Sequence, residues 1–108
     1  MASAEAVAQL DPAAFAAAVA EPDRVTVNVH VPDEGRIQGT DLMLPYDQVR
    51  ARAAELPADR TTPLAVYCRT GRMSAEAVAV LTELGYTDVV ELAGGMQAWQ
   101  SAGRPLQP

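Results

Sequence analysis

The chain has 108 residues and a formal net charge of -6, enough length for one hydrophobic core but too little for a catalytic and a regulatory domain together. Its acidity argues against a nucleic-acid surface, which needs clustered basic groups to neutralise phosphates. One cysteine and one histidine exclude an internal disulfide and a cysteine-rich metal site, and leave the thiol available for chemistry.

Met1-Ala2-Ser3-Ala4-Glu5 reads as a loose end with neither a basic flank nor an apolar signal core. No apolar run is long enough to span a bilayer, so a cytoplasmic location without a membrane partner is expected. Val7 to Leu10 fits a short edge strand, after which Asp11 is an N-cap and Pro12 takes the first helical position. The helix is predicted through Ala13 to about Ala20, with Phe15 and Val19 one turn apart on its core face; Glu21-Pro22-Asp23 ends it. From Arg24 to Val31 the valines alternate with Thr26, Asn28 and His30, the strongest strand pattern in the first half. Pro32 to Thr40 is a polar loop at a strand end, a natural place for substrate contacts. Asp41 to Leu44 is predicted as a short strand before Pro45, and Tyr46 to Leu56 as a helix around Val49, Ala53 and Leu56.

Pro57 to Pro63 turns the chain into the apolar run Leu64 to Tyr67, a strand that ends at the cysteine. After a tight loop, Ser74 opens a helix to about Leu84, with Ala77, Val78, Leu81 and Leu84 on its apolar side and Gly85 as a left-handed cap. Thr87 to Leu92 is a further strand. Gly94-Gly95 leads into a final helix with Met96 and Trp99 that ends near Gly103 and Pro105. This alternation predicts an α/β fold, a mostly parallel five-stranded sheet with helices on both faces, in residues 1–108 as a single domain. Ligands collect at the C-terminal edge of such sheets, where Cys68, His30 and the Pro32 to Thr40 loop are expected.

A cysteine between a strand and a helix start suits an anion, because loop amides and the free N–H groups of the first helical turn can converge on its sulfur. A thiolate is such an anion, which makes Cys68 the candidate nucleophile; the alternative is a buried small hydrophobe. All eight basic residues are arginine, and Arg69 and Arg72 flank the cysteine in an otherwise acidic chain. They could grip an anionic substrate, or instead point into water or pair with local acids. His30 could assist an acceptor or simply donate to a loop carbonyl. Trp99, Met96 and Tyr67 are expected to pack, and Thr70 and Ser74 to hold the loop and helix start through hydrogen bonds.

Cys68-Arg69-Thr70-Gly71-Arg72-Met73-Ser74 resembles the active-site loop of the single-domain rhodanese family, the thiosulfate sulfurtransferase-like proteins. Glu91-Leu92-Ala93-Gly94-Gly95-Met96-Gln97-Ala98-Trp99 is similar to the family's late strand, double glycine and tryptophan-bearing helix. Ile37 to Pro45 looks like the segment entering its third strand, so the resemblance covers nearly the whole chain. It implies a sulfurtransferase enzyme that moves a sulfane sulfur from thiosulfate or a related donor to a thiol or cyanide through a Cys68 persulfide. It implies no cofactor and no metal. The partners are a small anionic sulfur donor and a thiol or cyanide acceptor, with a protein donor or acceptor as a further option. Backbone amides of residues 69–74 are then assigned to the persulfide anion, which makes Arg69, Thr70, Gly71, Arg72, Met73 and Ser74 the substrate-binding set. The chain departs from the family where Met73 replaces a common arginine, with Arg72 one position earlier. It also has Asn28-Val29-His30 for a usual Asp-Val-Arg, and Arg36 at a usual histidine, so His30 and Arg36 are accessory candidates.

Two rival readings stand beside catalysis. A non-enzymatic or protein-to-protein sulfur-relay module would keep the fold and the persulfide, with an apolar surface near Cys68 and a pocket broadened by Met73. A phosphatase or arsenate reductase is less favoured, because its Cys-x5-Arg pattern requires arginine where this chain has Ser74.

Overall fold

The computed structural model describes residues 7–108, so the loose end expected at residues 1–5 lies outside the described residues. Short apolar runs become the five strands β1 (Val7–Leu10), β2 (Val25–Asn28), β3 (Leu42–Met43), β4 (Leu64–Tyr67) and β5 (Val89–Leu92). They form one sheet in the order β1-β5-β4-β2-β3, and every pairing is parallel. β4 and β5 are buried at every residue, as expected for inner strands covered on both faces.

Helices α1 (Pro12–Val19) and α3 (Gly95–Ser101) cover one face, where Phe15, Ala18, Met96 and Trp99 pack on Ala65, Tyr67, Val90 and Leu92. Phe15 meets both Tyr67 and Trp99 edge-on. Helix α2 (Arg72–Glu83) covers the other face through Ala77, Val78 and Leu81, which join Val27, Leu64, Val66 and Val89. Alternate residues of each inner strand therefore enter opposite layers. Asp11 caps α1 by accepting from the Ala14 amide at 2.8 Å, and the buried stripe of α1 is Phe15 and Ala18, with Val19 half-buried.

Three sequence expectations need correction. Tyr46 to Leu56 is not one helix but two 3₁₀ turns, Tyr46–Gln48 and Ala53–Glu55. Val49 and Leu56 are its only buried anchors, too few to stabilise a regular helix of that length, and the tighter turns bring both into the core. The second strand stops at Asn28 instead of Val31, because the Asn28 Oδ1 accepts from the His30 amide at 2.9 Å and turns the chain out of the ladder. The third concerns α2, which begins at Arg72, two residues before Ser74. Gly71, at φ +111°, supplies the left-handed residue that opens the helix and draws Ser74 into its buried first turn.

Candidate active site

Cys68 follows the last residue of β4 and is 1% exposed. With His30, Arg69, Thr70, Arg72 and Met73 it lines a cavity of about 180 Å³. That is smaller than the roughly 300–1,000 Å³ pockets of drug-sized ligands, so the opening suits a small molecule. The Gly71 amide donates to the Cys68 sulfur at 2.9 Å, and the Ser74 hydroxyl lies 3.5 Å from it. A sulfur held by an inward N–H at a helix start is stabilised as an anion.

On the inner side, Ser74 donates to Glu91 Oε2 at 2.5 Å, and the Gly71 carbonyl lies 3.1 Å from the same hydroxyl. Glu91 is 3% exposed on β5; its other oxygen accepts from Gln9 Nε2 of the edge strand at 3.1 Å. Ser74 thus does not cap α2. It joins the nucleophile to a buried carboxylate.

On the outer side, Glu34 Oε1 receives Arg69 at 2.5 Å and His30 Nε2 at 2.8 Å. The Arg69 guanidinium, and next the His30 ring, hold the Glu34 carboxyl below its ordinary range. Arg72 is exposed, lines the same cavity, and enters no ion pair among the described residues. The two arginines are therefore unequal. Arg69 is already neutralised by a neighbour, whereas the Arg72 cation remains available to an incoming anion.

The Pro32 to Thr40 loop is fixed from beneath. Buried Tyr67 accepts from the Ile37 amide at 3.0 Å and bonds the Thr40 hydroxyl at 2.7 Å, while Asn28 Nδ2 donates to the Gly35 carbonyl at 3.1 Å. Burial pushes the Tyr67 phenol up, so it stays a neutral hydrogen-bonding post. Arg36 lies apart from the cysteine cavity, where its backbone pairs with Gln107. Helix α3 clamps the cysteine loop from the other direction: the Met96 and Gln97 amides donate to the carbonyls of Cys68 and Arg69 at 2.8 and 2.9 Å. Gly95 allows that approach. A Cβ there would lie 2.4 Å from the Arg69 carbonyl carbon, at a φ of +59°.

The structure brings together Cys68, Arg69, Thr70, Arg72, Met73 and His30 around one cavity, with Gly71 and Ser74 on the sulfur. Glu91 and Gln9 escaped the sequence reading as site residues. Glu91 carries a signal that could have found it, a lone charge within the apolar strand Val89-Val90-Glu91-Leu92. Among the described residues no cluster of three or more His, Cys, Asp or Glu could hold a metal ion, and no helix is long and apolar enough to cross a membrane.

Comparison with known proteins is consistent with this geometry. The pattern of the Rhodanese-like domain family matches residues 12–102. A sulfurtransferase of Allochromatium vinosum is 37% identical over 87 residues, covering 78% of each chain. The thiosulfate sulfurtransferase PspE of Escherichia coli is 36% identical over 66% of this chain and 69% of its own. The crystal structure of a rhodanese-related protein from Thermoplasma volcanium superposes with a TM-score of 0.76 at 27% identity, covering 92% of this chain and 96% of that one.

Proposed function

The chain belongs to the rhodanese-like domain family, and from that premise we propose that it moves a sulfane sulfur from thiosulfate or a related small anion to a thiol or cyanide acceptor through a persulfide on Cys68. Residues 1–108 act as one catalytic unit in this reading. The observation that carries it is the Gly71 amide 2.9 Å from the Cys68 sulfur, in a cavity also lined by Arg72, which enters no ion pair among the described residues.

The Cys68 thiolate attacks the outer sulfur of thiosulfate. A new S–S bond forms as the old one breaks, and sulfite leaves with the bonding pair. The acceptor nucleophile then attacks the outer sulfur of the persulfide and expels the Cys68 thiolate. In both halves an anion rests on the Gly71 amide, while Arg72 meets the oxyanion end of the donor. Arg69, bound to Glu34, sets the rim of the opening.

A protein acceptor is a second reading favoured by Met73, whose half-buried side chain gives the cavity an apolar wall beside the charged one. Steady-state turnover separates the two. Thiosulfate and cyanide should yield thiocyanate with parallel double-reciprocal lines, and Cys68→Ser should yield none. A persulfide adduct without turnover would support the relay module. Absence of both adduct and product with thiosulfate, small persulfides and mercaptopyruvate would overturn both readings.

A further inference from the structure

Ser74 has one hydroxyl proton and three neighbours for it: Glu91 Oε2 at 2.5 Å, the Gly71 carbonyl at 3.1 Å and the Cys68 sulfur at 3.5 Å. The short, charge-assisted bond to the carboxylate takes the proton. A Ser74 lone pair is then turned to the sulfur, where it accepts the S–H of a protonated Cys68. This is the resting arrangement. A thiolate or persulfide needs the opposite, a Ser74 O–H directed at sulfur.

Glu91 is a costly way to hold Ser74. Glutamine would accept from Ser74 through its carbonyl and donate its amide N–H to a turned-over Gln9 side chain with the same shape, without placing a charge at 3% exposure. From β1 Glu91 faces the neutral Gln9, from α2 it faces Ser74, and its partner in β4 is Val66; no basic group of the described residues ion-pairs with it. The cations Arg69 and Arg72, and His30, line the cavity, with Glu34 on Arg69 and His30. A Cys68 thiolate beside an ionised Glu91 would place two like charges in a dry site.

We propose that Glu91, acting through Ser74, is the proton acceptor that generates the Cys68 thiolate. The S–H bond of Cys68 breaks and its proton joins Ser74 Oγ, while the original Ser74 proton passes to Glu91 Oε2. The cluster keeps a single negative charge, which moves from carboxylate to sulfur. Ser74 ends with its O–H on the thiolate, beside the Gly71 amide. Glu91 returns the proton by the same route when the resting thiol is restored. Glu91 touches no substrate and is a positioning residue. The role rests on the sulfur-transfer reading for its purpose, but its test does not.

Cys68 is the only cysteine, so its alkylation by iodoacetamide reports one site. In wild type the rate against pH should rise in two steps with a plateau between them, because one proton is shared by two groups over the plateau. In Glu91→Gln there should be one step, and the rate should fall about tenfold per pH unit on the acid side, where the wild-type plateau holds. Ser74→Ala leaves the two charges coupled but removes the O–H that solvates the thiolate, so it should keep two steps with the plateau lowered about tenfold relative to the upper limit. Circular dichroism checks that each variant is folded. One step in wild type, two steps retained in folded Glu91→Gln, or an undiminished plateau in folded Ser74→Ala would overturn the relay. Two-step alkylation in a protein that forms no persulfide would instead overturn sulfur transfer and leave the relay standing.

Discussion

On the inner side of Cys68, Ser74 and Glu91 are 0% and 3% exposed, whereas on the outer side the side chains of Arg69 and Glu34 are 55% and 38% exposed. Both sides place a carboxylate within reach of the nucleophile's surroundings, yet the physics differs. In the dry wall a charge has no solvent to screen it, so each hydrogen bond is fixed and each proton counts. In the wet rim the ion pair exchanges with water and salt, and its main effect is on which arginine is free to meet a substrate.

The largest test of that difference is Gly95→Ala. Its Cβ would meet the backbone of Cys68 and Arg69 at 2.4–2.5 Å in a left-handed conformation, and neither loop nor helix can yield without releasing the clamp. A loss of about 3 kcal/mol or more is expected in chemical denaturation, with turnover lost even where the chain stays folded. Retention of wild-type stability would show that the dry wall is softer than its packing implies.

Arg72→Ala should lower kcat/KM for thiosulfate by about tenfold, the worth of one charge-assisted hydrogen bond, with most of the change in KM. Arg69→Ala should do less, because its cation is already spent on Glu34. Equal losses would erase the distinction between the two arginines.

Glu34→Gln should have the smallest effect. Freeing Arg69 and removing an anion from the rim should lower KM for an anionic donor by about two- to fivefold, an advantage that fades with added salt. The Glu34 carboxyl is held below its ordinary value of 4.5 in the folded state, so its pairing supports the fold fully above that value. Support is lost as pH falls through the lowered folded value. The acid limb of the stability profile should therefore be slightly shallower in Glu34→Gln than in wild type, when followed by thermal melting at low salt.

The sheet, its helices and the cysteine loop were legible because period and punctuation carry them: valine alternation in β2, Asp11-Pro12 before α1, and Gly94-Gly95 before α3. The segment from Tyr46 to Leu56 was not, since two anchors seven residues apart fit an α-helix as well as two 3₁₀ turns. Most of the cavity lining follows from one contiguous loop, and hence from sequence. Glu91 lies 17 and 82 residues from its partners Ser74 and Gln9. Such pairings are set by strand order and register, which no local pattern records. Ser74 illustrates the same limit at short range: the sequence pattern opens the helix at Ser74, but the left-handed Gly71 starts α2 two residues earlier and leaves the hydroxyl buried.

Intact mass spectrometry of the protein after exposure to thiosulfate tests sulfur transfer most directly. The wild-type mass should rise by about 32 Da, one sulfur atom on the thiol, and return to its starting value when cyanide is added. An unchanged mass in folded protein whose Cys68 remains open to alkylation would contradict the account.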